Sequence, residues 1–277
     1  MLNIWIVLGI LFLVSLLISS IGFKKFVWFL SIGYGFSILG CGIAIGVIYG
    51  VQGHLNITGL IACVLLVIYG FRLGGFLAYR ELKVKSYKKT LEMASKTEKP
   101  IPVFVLIFMW ILCALLYMGQ ASGIAFVLQA REVTNFFDVK ALEIVGVCVM
   151  AIGIFIEALA DHQKSQEKKV NSNLPAMHGL YKISRCPNYY GEILCWTGVL
   201  VFFLSACTIA LWFYDVIVGI AYISIVYVMM NGAKRLEIRQ DSRYKDIEEC
   251  KKYFEKTPIL IYLFIPIHSL KNSKIIK

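Results

Sequence analysis

The chain is 277 residues long, 59% hydrophobic and only 16% charged, with a mean hydropathy of +0.74. Soluble domains are about half apolar and a quarter charged, so this composition excludes a disordered chain, a collagen and a small disulfide scaffold and predicts an integral membrane protein. The 28 Lys and Arg against 17 Asp and Glu give a formal net charge of +11, and because these charges sit in loops between apolar runs they read as a basic membrane-facing surface, not as a nucleic-acid site.

A helix needs about 20 apolar residues to cross the ~30 Å hydrocarbon core, and that length divides the chain into seven predicted spans. They are residues 2–21, 26–50, 57–79, 101–129, 140–160, 189–205 and 208–230. The first has no preceding basic residue and no small-residue cleavage site, so it reads as a span and not as a removable signal peptide. Glycines in the second (Gly33, Gly35, Gly40, Gly42, Gly46) are the small residues that let membrane helices approach. The fourth run is long, and Gly119 to Gly123 offers a break into a span plus an interfacial or re-entrant piece. Together these form one polytopic domain, 1–277, with variable N-terminal helices over 1–130 and a C-terminal region over 131–277.

Alternate connecting segments carry 25 of the 28 basic residues, with Arg131 and Lys140 on the other side and Arg72 inside a span. Cytoplasmic loops hold the basic excess, which predicts an outside N-terminus and a cytoplasmic C-terminus; a bacterial plasma membrane and the endoplasmic reticulum both fit. The eight cysteines (Cys41, Cys63, Cys113, Cys148, Cys186, Cys195, Cys207, Cys250) lie mostly inside apolar runs without a C-x-x-C pair. They predict inert buried thiols, no disulfide framework and no metal site.

Ionisable and polar groups in spans are expensive and are functional candidates by default. Tyr69 and Arg72 share one face of the third span, where Arg72 either snorkels to the surface or meets an anionic partner. Glu157 and Asp161, one turn apart at the end of the fifth span, repel each other and call for a compensating cation, shared proton or hydrogen-bond donor. The stretch His178 to Glu192 is the most informative. Ser184 suits a cap and Pro187 a first helical turn, which places Arg185 beside the exposed N–H groups of a helix start, an anion site. Asn188 and Glu192 point together just inside that helix. The pattern predicts a cytoplasm-facing pocket for a polar, anionic cofactor, with a plain capped helix and surface arginine as the alternative.

Gly179-Leu180-Tyr181, Ser184-Arg185, Pro187-Asn188-Tyr189 and Gly191-Glu192 resemble the DUF1295 branch of the steroid 5-alpha-reductase C-terminal superfamily. Glu157, Ala160-Asp161, Gln163-Lys164, Leu236-Glu237, Tyr253, Thr257-Pro258 and Ile265-Pro266 extend the resemblance, and Tyr69 to Gly74 and Ser86-Tyr87-Lys88 look like the family's variable N-terminal half. The resemblance implies an all-α fold of about seven transmembrane helices that holds NADPH and passes hydride to a conjugated C=C bond of a hydrophobic, lipid-like substrate. By that analogy Asp161, Asn188 and Glu192 contact nicotinamide or ribose, while Arg72, Arg185, Arg235 and Arg239 neutralise phosphates. Glu157, Tyr189 and Tyr253 complete the cofactor contacts, and Tyr69 hydrogen-bonds a substrate carbonyl. The implied partners are that substrate and membrane lipids, with neither nucleic acid nor metal.

Steroid reductases pair such a tyrosine with a more N-terminal glutamate, but no Asp or Glu precedes Glu81 here, and Cys186 stands where related sequences often have His. Steroid specificity is therefore not implied. Gly179, Tyr181, Arg185, Pro187 and Tyr189 also fit loosely the S-adenosylmethionine-binding core of the isoprenylcysteine and phospholipid methyltransferases. A non-catalytic membrane protein that keeps the pocket is the third reading.

Overall fold

The computed structural model describes residues 2–83, 101–130, 139–206, 212–263 and 265–271. Arg131, Cys207, Ser86-Tyr87-Lys88, Lys274 and Lys277 lie outside the described residues. In chain order the elements are α1 (Ile4–Ser19), a short α2 (Val27–Leu30) and α3 (Ile32–Val51), followed by α4 (Ile57–Lys83), α5 (Val103–Ala130) and α6 (Val139–Val170). Then come α7 (Pro187–Phe203), α8 (Trp212–Tyr244), α9 (Glu248–Lys256) and an antiparallel hairpin of β1 (Leu260–Tyr262) and β2 (Ile265–Ile267), with Leu260 opposite Ile267.

Seven helical stretches among the described residues are long and apolar enough to cross a bilayer. Their outward faces are apolar, as at Leu17, Phe104, Phe108, Phe155 and Ile223, which is what lipid contact requires where no water satisfies polar groups. The protein is thus a multi-pass integral membrane protein, helical apart from the short hairpin, as the composition predicts.

Two expectations are corrected. The fourth run does not break: α5 is continuous through Gly119 and Gly123, Ser122 Oγ donates to Gly119 O at 2.7 Å, and Gly119 faces the Ala221 methyl. Glycine gives up little helix in a membrane, where exposed backbone groups have no water to turn to. Secondly, α6 and α8 run to Val170 and Tyr244, past the predicted ends at 160 and 230, because hydropathy marks the hydrocarbon limit and not the helix end. Of the thiols, Cys148 is exposed while Cys41, Cys63, Cys113, Cys186, Cys195 and Cys250 are buried and free.

The chain forms two compact units, Met1–Val147 with Val201–Ala221, and Cys148–Leu200 with Tyr222–Lys277. In the first, α3 and α4 touch backbone to backbone: a Cβ on Gly70 would stand 2.4 Å from Gly35 O, and one on Gly35 2.5 Å from Gly74 N. The glycines of the second span do bring helices together, as small residues do in membranes. In the second unit α6 meets α7 in the same way, with Gly153 against Cys195 N and Gly191 against Glu157 N. Beside them Cys186, Ile193, Ala233, Ile259, Leu260 and Leu270 form an apolar core.

Candidate functional site

The residues of the central motif first build their own scaffold. Gln163, on the extension of α6, accepts from Leu180 N at 2.9 Å and lies against Gly179, whose φ of +61° is the left-handed region that glycine adopts without strain. One turn on, Glu167 accepts from Met177 N at 2.9 Å and His178 N at 3.0 Å. Lys168 Nζ donates to Leu174 O and Ser172 O and to the Tyr244 hydroxyl. Tyr181 Oη donates to Ala160 O at 3.3 Å, and Tyr253 Oη to Tyr181 O at 2.6 Å. The loop after α6 is thereby fixed to α6 and to α9.

Ser184 Oγ accepts from Cys186 N at 3.2 Å, so it caps the turn just ahead of α7, and Pro187 is the first residue of that helix. Arg185 is not the exposed arginine of the alternative reading. It is 3% exposed, not a surface charge: its N–H donates to Pro258 O at 2.9 Å and its Nη2 to His268 O at 3.1 Å. Nη2 also stands 3.5 Å from Glu237 Oε1, and the guanidinium covers the Phe254 ring at 5.2 Å. Glu237 Oε2 in turn accepts from Leu270 N and Lys271 N at 2.8 and 3.0 Å. An arginine ahead of a helix reads as exposed; a buried carboxylate on α8 draws it inward.

Glu157 and Asp161 on α6, and Asn188 and Glu192 on α7, sit in the same unit at the Gly153–Gly191 contact, so the two helices are neighbours where these side chains leave them. Glu157 is 2% and Glu192 6% exposed. Asp161 adjoins Tyr181, whose hydroxyl is raised far above the usual phenol range by burial first and by the Asp161 charge second. Burial also raises Tyr253, against the opposing pull of Arg185, and pushes the Cys186 thiol up to about 12 despite the nearby Lys164 and Arg185 charges. Tyr189 lies on the Gly232 backbone of α8, while Arg235 and Arg239 are exposed on that helix.

Tyr69 and Arg72 belong to the first unit. Tyr69 is fully buried, its hydroxyl hydrogen-bonded to that of Tyr34 at 2.9 Å, and the Tyr34 ring packs on Tyr117 at 5.2 Å between centroids. Arg72 is half-buried. The sequence reading passed over Tyr34, Glu81 and Glu143. Glu81 is buried and accepts from the Trp28 indole N–H. Glu143 is 0% exposed and accepts from Asn56 Nδ2 at 3.1 Å and from the Thr58 hydroxyl. An acid inside a predicted span was the available signal for Glu143. Among the described residues no three His, Cys, Asp or Glu side chains gather as a metal site.

Fold and site together define a polytopic helical membrane protein with a polar cap of buried ionisable groups on its second unit. The chain belongs to the family described as Protein of unknown function (DUF1295), whose profile matches residues 4–257, almost the whole chain. Comparison with curated proteins and with solved structures gave no match.

Proposed function

We propose that the protein is a membrane-embedded, NADPH-dependent oxidoreductase that reduces a conjugated C=C bond of a hydrophobic, lipid-like substrate. The observation that carries this reading is the convergence on one helix crossing of Glu157 and Glu192, both almost fully buried, with Asp161 and Asn188 a turn away on the same two helices. Ionisable groups buried in a membrane protein mark functional sites, and a nicotinamide-ribose moiety is a polar group of matching chemistry. Its hydroxyl and carboxamide donors meet the carboxylates, and the Asn188 amide both donates and accepts. The braced loop and the Gly153–Gly191 contact hold these groups in place before a ligand arrives, which lowers the ordering cost of binding.

When bound, NADPH supplies the hydride; the chain's own residues bind and orient it. Tyr69 enters by resemblance, as donor to a substrate carbonyl. Either hydroxyl of the Tyr34–Tyr69 pair can donate to the other; with Tyr34 donating, Tyr69 becomes the stronger donor to a substrate carbonyl. Tyr34 in this reading stands in for the missing glutamate.

The test is the melting temperature of the purified protein titrated with NADPH, NADH and S-adenosylmethionine, because a ligand that binds only the folded state stabilises it by mass action. Stabilisation by NADPH supports the reductase. Stabilisation by S-adenosylmethionine alone assigns the chain to the methyltransferases, and no response from any of the three leaves a non-catalytic protein.

A further inference from the structure

A cleft of about 450 Å³ opens in the second unit between the end of α8, α9 and the segment after β2, with Arg185, Lys245, Lys251, Phe254, His268 and Lys271 among its walls. Asp161, Asn188 and Glu192 do not line it. We infer that this cleft binds a phosphate group, carried either by an anionic lipid headgroup or by a small soluble phosphate compound, with Arg185 as the anchor at its floor. The resemblance gives Arg185 a cofactor phosphate; the inference instead assigns it a phosphate in this separate cleft, and it stands without the reductase reading.

Three observations support this. First, Arg185 uses Nη2 for His268 O and Glu237, but its Nε is buried and makes no hydrogen bond. A charged donor left unsatisfied away from water is costly, and an oxyanion in the cleft is the partner that removes the cost, through charge-assisted hydrogen bonds suited to a guanidinium fork.

Secondly, two acids of the cleft are already engaged. Glu237 serves Arg185 and two backbone N–H groups, and Asp241 holds Lys271 Nζ at 2.7 Å. At the rim Lys251 pairs in solvent with Glu248 at 4.0 Å, and the walls hold four cationic groups (Arg185, Lys245, Lys251, Lys271) against three carboxylates (Glu237, Asp241, Glu255), so an entering ligand meets one net positive charge. Thirdly, the volume falls in the range of about 300–1,000 Å³ typical of small-ligand sites, larger than a bare phosphate and sufficient for the group that carries it. The cleft also lies on the part of the chain with most of the basic residues, where anionic headgroups gather by electrostatics.

The experiment compares the wild type, a Lys245→Gln/Lys251→Gln double variant and Arg185→Lys. Each is melted in phosphatidylcholine nanodiscs, in nanodiscs with phosphatidylglycerol admixed, and in phosphatidylcholine nanodiscs titrated with glycerol 3-phosphate, with chloride as the ionic-strength control. The wild type is expected to be stabilised by at least one phosphate source and not by chloride. A response to phosphatidylglycerol alone assigns the headgroup, and a response to glycerol 3-phosphate alone assigns a soluble compound. The rim variant keeps the buried pair and should melt normally without ligand while losing about tenfold in affinity. Arg185→Lys, where it folds, should lose at least as much. No response beyond chloride, or a response unchanged in the rim variant, overturns the site. Failure of NADPH to bind would overturn the reductase reading and leave this result untouched.

Discussion

Arg185 Nη2 and Glu237 Oε1 stand 3.5 Å apart with side chains 2% and 3% exposed, and the same carboxylate takes the N–H groups of Leu270 and Lys271. This one pair ties the start of α7, the extension of α8 and the C-terminal segment together. Removing one partner of a buried pair leaves the other charge uncompensated, at a cost of about 3–5 kcal/mol. Arg185→Met and Glu237→Leu are therefore each expected to melt far below the wild type, and Arg185→Met/Glu237→Leu to recover part of the loss. Additive losses in the two single variants and the double variant would show that the residues do not act as a pair.

The helix contact at Gly153 and Gly191 gives a second expectation. A Cβ at Gly153 would lie 2.4 Å from Cys195 N and one at Gly191 2.6 Å from Glu157 N, both backbone atoms, whereas a Cβ at Gly219 meets nothing within 4 Å. Gly153→Ala and Gly191→Ala should each destabilise by about 1–3 kcal/mol, the usual cost of overpacking. Gly219→Ala should not destabilise at all. Thermal unfolding in one detergent compares the three, and equal melting temperatures would mean that α6 and α7 are not in backbone contact.

Alkaline pH probes the cap. Cys186, Tyr181 and Tyr253 are all raised by burial, so the folded state holds their protons more tightly than the unfolded chain does. Their contribution is complete below the unfolded values and is lost as pH rises above them, from about 9 for the thiol. Each group alone can impose up to about 1.4 kcal/mol per pH unit in that window. Stability should fall steeply above pH 9, and less steeply in Cys186→Ala. A flat profile between pH 9 and 11 would contradict the burial of this cluster.

Apolar length alone locates the seven spans, because crossing a bilayer is a one-dimensional demand that a single sequence displays. Pro187 as the first residue of α7 and Ser184 as its preceding cap were legible for a similar reason: both are local backbone chemistry. The burial of Arg185 was not, since its partner Glu237 is on another helix and only the folded chain shows that they meet. The contact between Tyr34 and Tyr69 was hidden by the same distance in sequence, and Gln163, which belongs to the motif that carries the resemblance, turns out to brace a loop. Helix ends beyond the bilayer were missed because nothing in hydropathy marks them.

The basic excess predicts the orientation. A cysteine introduced at His54, in a background free of native cysteines, should react with an impermeant maleimide from outside intact cells. One at Asn173 should react only after the membrane is opened, as positive loops are kept inside. Reaction of both from the same side would rule out this topology.

The central claim is that the acids and amide at the α6–α7 crossing hold NADPH, and calorimetric titration of the nanodisc-embedded protein with NADPH tests it most directly. The account predicts saturable binding to the wild type and about a tenfold loss in Asn188→Ala, the cost of about 1.4 kcal/mol for one buried hydrogen-bonding partner. Glu192→Gln should give a comparable loss, with ligand-free melting of Asn188→Ala close to that of the wild type. No binding to the wild type, or equal affinity in both variants, would contradict it.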